Sequence, residues 1–136
     1  MDFTGRTGKI IMKKTFKDIC KLAEKLRSGT GCPWDRAQTI ETMLDCLKNE
    51  TSEVAEAVLK KDYRNLKEEL GDVLFQIVMI AQIAKEQKHF KIDDVIKDID
   101  KKIRSRHTWV FGEDKAKTPE EAIAMWKRNK SGEKNR

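Results

Sequence analysis

Apolar residues recur three and four positions apart from Ile40 to Ile83, with a polar break near Lys61–Asp62. That spacing is the period of two amphipathic helices. At about 100° per residue, Met43, Val54, Ile40, Val58 and Leu44 fall within roughly 60° of Leu47 on the first. On the second, Ile80, Val73, Ile77, Leu70, Ala81 and Leu74 cluster with Leu66 over about 120°. The two helices are expected at about 39–60 and 63–87, folded back antiparallel because the connection is short. Thr39 is placed to cap the first.

The same period places further helices at about 15–28, 92–106 and 119–130. Thr15 can cap the earliest, which turns Phe16, Ile19, Cys20, Ala23 and Leu26 inward. The fourth is expected to bury Ile92, Val95, Ile96, Ile99 and Ile103. Thr118-Pro119-Glu120-Glu121 opens the last, with Thr at N-cap, Pro at N1 and Glu at N3. Residues 28–38 and 107–117 read as loops, since Gly29, Gly31 and Pro33 break the helical pattern. No strand pattern appears. The expected fold is all-α, a four- to five-helix bundle forming one domain over 13–130. Residues 1–12 read as a loose leader and 131–136 as a disordered tail.

Composition narrows this picture. The chain has 136 residues, of which 38% are hydrophobic, a size for one modest core. No apolar run approaches a membrane span and no signal peptide is visible. Cys20, Cys32 and Cys46 are odd in number and widely spaced, which argues for a reducing cytoplasm over a disulfide framework. The net charge of +6 points to a phosphate-bearing partner, nucleotide or nucleic acid. Acids nevertheless cluster in the central hairpin, where a duplex binder would not normally place them. A helical nucleic-acid-binding or regulatory module is the alternative to an enzyme.

The hairpin holds the sharpest chemistry. Glu50 with Glu53, and Glu69 with Asp72, are acidic pairs at i, i+3, each at the margin of its apolar stripe. Gln76 lies beside the second pair. Glu53 and Glu69 are equidistant from Lys61, as are Glu50 and Asp72, so an antiparallel hairpin brings the pairs level. Four carboxylates at a core margin repel one another unless protonated or neutralised by cations. Such hard oxygen ligands suit Mg²⁺ or Mn²⁺.

Other residues offer complementary roles. Trp34, in Cys32-Pro33-Trp34-Asp35, either plugs the bundle end or gives a flat wall for a base, with Asp35 as a polar contact. Lys102 and Arg106 share a helix face and can clamp phosphate. Trp126 and Lys130 are likewise i, i+4; Trp126 packs the last helix down, and Lys130 can reach an anion.

Five segments in order resemble the MazG-type nucleoside triphosphate pyrophosphohydrolases of the all-α NTP pyrophosphohydrolase superfamily. They are GCPWDRAQT (31–39), NETSEVAEAV (49–58), LKEELGDVLFQ (66–76), KKIRSRHTWVFG (101–112) and the W-x-x-x-K of Trp126 and Lys130. The resemblance implies Mg²⁺-dependent hydrolysis of an NTP or dNTP by water attack at the α-phosphorus, giving the monophosphate and pyrophosphate. It implies Glu50, Glu53, Glu69 and Asp72 as catalytic metal ligands and Lys102, Arg106 and Lys130 as phosphate-binding groups. The nucleoside would meet Trp34, Asp35 and Trp126. It also implies a homodimer or homotetramer. The chain departs from the family pattern at Asn49, where an acid is usual, at Ser105, where an arginine is usual, and at His107-Thr108-Trp109, where H-P-H is usual.

Overall fold

The structure, a computed structural model, describes residues 13–134. Its order is α1 (Phe16–Leu26), α2 (Pro33–Ala37), α3 (Ile40–Leu59), α4 (Tyr63–Glu86), α5 (Ile92–Arg106), α6 (Thr108–Phe111) and α7 (Pro119–Lys134). No strand occurs among the described residues, and the all-α expectation holds. The leader expected at 1–12 lies outside them.

The helix starts follow local chemistry. Asp18 accepts from the backbone N–H and hydroxyl of Thr15, at 2.9 and 3.0 Å. Thr39 and Thr42 exchange bonds between hydroxyl and backbone N–H, at 3.1 and 2.8 Å. Thr118 Oγ1 accepts from Glu121 N–H at 3.2 Å, while Glu121 reaches back to Lys117 N–H at 2.8 Å. The bonds from backbone N–H groups satisfy donors left open where the helices begin.

Two compact units divide the chain at Phe90–Lys91, where one domain had been expected. In the first, α3 and α4 form the hairpin and α1 packs on α4. The core comprises Ala23, Met43, Val78, Met79 and Ile83, all buried, so it sits against the C-terminal half of α4. The stripe expected to be buried on α4 is therefore only partly so. Leu70, Leu74 and Ile77 remain 40–52% exposed, because α1 covers the later turns and leaves these open. Val58 and Leu44 on α3 are likewise exposed.

The turns closing α3 and α4 each hold a non-glycine residue at positive φ, Lys61 at 55° and Lys88 at 64°. These are the left-handed residues that end a helix when a later N–H folds back on its last carbonyls. Asp62 N–H bonds Ala57 O at 3.0 Å, and His89 N–H bonds Ala84 O at 2.9 Å.

In the second unit α5 meets α6 and α7. Val95, Ile96, Ile99 and Ile103 were expected inward but stay 38–48% exposed. The bonds α5 makes to α7 come from its last turn, at Ser105 and Arg106, so the earlier turns of its apolar stripe are left uncovered. Helix α7 runs to Lys134, past the end expected near Lys130, so residues 131–134 are helical and not a disordered tail.

Segments expected as loops contain the short helices α2 and α6. Pro33 occupies the first turn of α2, where its missing N–H costs nothing. Arg27 completes the other end, its Nη1 donating to Asp35 O and Gln38 O at 2.6 and 2.9 Å. Gly31 is required beneath, since a Cβ there would stand 2.2 Å from Leu26 O.

Candidate metal centre

Helices α3 and α4 bring Glu50, Glu69 and Asp72 together. One carboxylate oxygen from each lies within 4.8 Å of the others. Glu69 is 8% exposed, Glu50 half-buried and Asp72 exposed, so the trio runs from the core margin to the surface. Glu53, the fourth expected ligand, is exposed and stands outside the trio. It lies about 60° further round α3 from the apolar stripe than Glu50 does. Its charge still acts on both Glu50 and Glu69.

The electrostatics record the crowding. The Glu69 carboxyl is raised from its ordinary 4.5 to about 7, by burial first, then by a hydrogen bond with Asp72 and the charges of Glu50, Glu53 and Asp72. Glu50 is raised as well, again chiefly by burial and then by Asp72. Among the described ion pairs none gives these three acids a cationic partner. Acids gathered from two helices, partly dehydrated and without a lysine or arginine, are a fitting donor set for a hard divalent cation. Glu50, Glu69 and Asp72 would hold it directly, with Glu53 at the rim.

The other expected site residues fall into two groups. Trp34 and Asp35 lie on α2, in the same unit as the acids. Trp34 is 57% exposed, so it does not plug the bundle end. Gln38 Nε2 donates to its carbonyl at 2.8 Å, and Arg36 Nη1 donates to Gly29 O at 2.9 Å, fixing the segment from both sides. The Arg27 guanidinium that caps α2 also clasps Glu86, with Nη2–Oε1 at 2.6 Å and Nε–Oε2 at 3.1 Å. Glu86 lies 14 residues beyond Asp72, about 21 Å along α4. Thus α2 is tied to the end of α4 remote from the acids.

Lys102, Arg106, Trp126 and Lys130 gather in the second unit. Arg106 and Lys130 both lie over the Trp126 ring, at 5.4 and 5.1 Å from its centroid. Trp126 is therefore a platform for cations, which favours them electrostatically. Arg106 also pairs with Glu133 at 3.3 Å, and Lys102 lines a recess with Asp98, Lys101, Ser105 and Glu133.

Sequence reading missed two residues that shape these groups. Arg27 ties three helices together, but its partner Glu86 is 59 positions away, so no local pattern marks it. Asn129 holds α7 to the end of α5, donating to Arg106 O at 3.0 Å and Thr108 Oγ1 at 2.9 Å. Its place one turn after Trp126 and beside Lys130 was the available signal.

Comparison with known proteins gives the family. A family model described as the MazG nucleotide pyrophosphohydrolase domain matches residues 38–111. The chain is 42% identical over 121 residues to the nucleoside triphosphate pyrophosphohydrolase/pyrophosphatase MazG of Thermotoga maritima, covering 89% of this chain and 46% of that protein. It is 39% identical over 117 residues to a nucleoside triphosphate pyrophosphohydrolase of Escherichia coli (strain K12), covering 85% and 44%. The chain thus spans less than half the length of these curated relatives. A crystal structure of a mazG-related protein from Thermotoga maritima superposes with a TM-score of 0.72 at 36% identity, covering 85% of this chain and 98% of that one.

Proposed function

This chain belongs to the MazG nucleotide pyrophosphohydrolase domain family, and we propose that it hydrolyses nucleoside or deoxynucleoside triphosphates to the monophosphate and pyrophosphate. The observation that carries the reading is the convergence of Glu50, Glu69 and Asp72, from two helices, on one small volume. The relatives named above are nucleoside triphosphate pyrophosphohydrolases, which supports the substrate class.

In this reading a divalent cation, Mg²⁺ or Mn²⁺, supplies charge neutralisation at the phosphate oxygens and acidifies a neighbouring water. The chain's own residues do the rest. Glu50, Glu69 and Asp72 provide the binding oxygens, and Glu53 adds negative charge at the rim. Water attacks the α-phosphorus, its bond to the bridging oxygen breaks, and pyrophosphate departs. Lys102, Arg106 and Lys130 offset charge on the departing group. Arg106 must exchange its Glu133 partner for phosphate to do so. Trp34, Asp35 and Trp126 are the nucleoside contacts, the Trp34 ring being more open for stacking than that of Trp126.

Cys20, Cys32 and Cys46, odd in number and widely spaced, suit a reducing compartment, the cytoplasm. No helix among the described residues is long and apolar enough to cross a membrane. The exposed apolar stripes on α4 and α5 favour self-association as a homodimer or homotetramer.

The test is a panel of NTPs and dNTPs with Mg²⁺, monitored by phosphate release after added pyrophosphatase. Turnover by the parent chain and its loss in a folded Asp72→Asn variant are the expected results. Absence of turnover on every nucleotide, or full activity in that variant, refutes the reading.

A further inference from the structure

One buried side-chain atom among the described residues has no hydrogen-bond partner, and it lies on the helix that carries Glu69 and Asp72. It is the Oε1 of Gln76. At about 100° per residue, Gln76 falls between those two acids around the α4 axis, some 20° from Glu69 and 40° from Asp72, and about 6 Å beyond Asp72 along it. It therefore continues the same flank by one turn.

An orphaned buried acceptor has lost its water partners without replacement, a cost in stability. An apolar side chain of similar length would avoid that cost in this half-buried position. Polar groups kept at a loss in stability belong where they serve a site. The missing partner is a donor. The neighbouring acids offer only acceptors once ionised, so the flank supplies none. A water in the hydration shell of a divalent cation is a strong donor, and Mg²⁺-like ions keep several such waters. Gln76 is only partly covered, so its carboxamide can turn toward the surface without disturbing the helix.

We propose that Gln76 is a positioning residue of the cation site: its Oε1 accepts a hydrogen bond from a cation-bound water beside Asp72. The inference rests on the reading of Glu50, Glu69 and Asp72 as cation ligands. It assigns Gln76 no contact with reacting atoms, and its effect is read on cation affinity without nucleotide.

Mn²⁺ is titrated into the cation-free protein, free Mn²⁺ is followed by electron paramagnetic resonance, and melting is recorded in chelator. Gln76→Met keeps the length and removes the acceptor. It should bind Mn²⁺ about fivefold more weakly, the loss of one hydrogen bond, while melting no lower than the parent in chelator. Gln76→Glu keeps an oxygen and should bind at least as tightly as the parent. Should Gln76→Met fail to fold, Gln76→Asn, which withdraws the oxygen by one methylene, should show the same weakening. Parent-like affinity in the folded variant that lacks or withdraws the oxygen overturns the proposal, as does equal weakening in Gln76→Glu. Glu69→Gln separates the two failures. If it too binds Mn²⁺ like the parent, the cation site itself is misassigned; if it loses Mn²⁺ while Gln76→Met does not, only the role of Gln76 falls.

Discussion

Glu69 and Asp72, one turn apart on α4, bring carboxylate oxygens within 4.8 Å of each other and of Glu50, and acids this close favour keeping a proton on one of them. Burial and the surrounding charges assign it to Glu69, raised to about 7. The folded protein thus holds this proton more tightly than the unfolded chain does. Its contribution to stability is complete below about pH 4.5 and is lost as pH rises through about 7. Glu50, also raised, acts in the same direction. In chelator, the melting temperature should fall between pH 5 and pH 8, and Glu69→Gln should flatten that slope. A divalent cation replaces the proton, so its affinity should weaken about tenfold per pH unit below 7. Calorimetric melts across pH, with and without Mg²⁺, test both; a slope unchanged in Glu69→Gln would show that this carboxyl is not responsible.

The Arg27–Glu86 clasp makes a separate prediction. Arg27 is 10% exposed and makes four bonds, two to Glu86 and two to the carbonyls that end α2. Arg27→Ala removes the donor to Gln38 O and one of the donors to Asp35 O and to the Glu86 carboxylate, which Gln38 N–H and Gln82 Nε2 still reach. Complete burial would put the cost near 3–5 kcal/mol; because Glu86 is at the surface, about 2–3 kcal/mol is expected. Arg27→Lys should recover little, since a point charge cannot serve carboxylate and carbonyls in one planar fork. Glu86→Gln should cost about 1 kcal/mol or less. Urea melts give the ranking; equal stability of Arg27→Ala and the parent would remove the clasp as the anchor of α2.

These two sites differ in how far sequence could reveal them. The acids were legible because helical periodicity is fixed and a short polar break dictates an antiparallel return, so i, i+3 pairs can be matched across it. The starts at Thr15, Thr39 and Thr118 were legible because capping bonds span three residues. Arg27 and Glu86 were not, because their meeting depends on how α1 packs against the end of α4. The openness of Leu70, Leu74 and Ile77 was hidden for a related reason: periodicity identifies an apolar face but not what covers it. Glu53 shows the limit of index matching, since equal distance from a turn sets height along the helices and leaves rotation about them free. Arg106 and Lys130 meet over Trp126, and the Arg106 contact is a long-range one that only the i, i+4 spacing at 126–130 hinted at.

The exposed apolar stripes carry a prediction about assembly. Leu70, Leu74 and Ile77 recur at helical spacing on α4, and Val95, Ile96, Ile99 and Ile103 do so on α5. Contiguous large aliphatics of this kind are covered in most stable proteins. Sedimentation at micromolar concentration should show a dimer or tetramer, and Leu74→Lys should shift it toward monomer because a buried lysine has no partner there. A stable monomer in the parent chain would refute self-association.

The two helix-ending turns allow a test of backbone strain independent of function. Lys61 and Lys88 adopt φ of 55° and 64°, where a Cβ crowds the following carbonyl at about 1–2 kcal/mol. Glycine removes that crowding but adds freedom to the unfolded chain, offsetting about 0.5–1 kcal/mol. Both side chains are exposed, so little packing is lost. Lys61→Gly and Lys88→Gly should each stabilise the protein by about 0.5–1 kcal/mol. The turns lie at opposite ends of α4, roughly 40 Å apart by helical rise, so the gains should add. Lys61 closes the hairpin that presents the acids and Lys88 does not. If the hairpin were set by its turn, only Lys61→Gly would also alter cation affinity. Because Glu50, Glu69 and Asp72 are positioned by the packed length of α3 and α4, both variants should raise the melting temperature and leave Mn²⁺ affinity within about twofold of the parent. Destabilisation by either glycine would mean that its lysine makes contacts outweighing the strain.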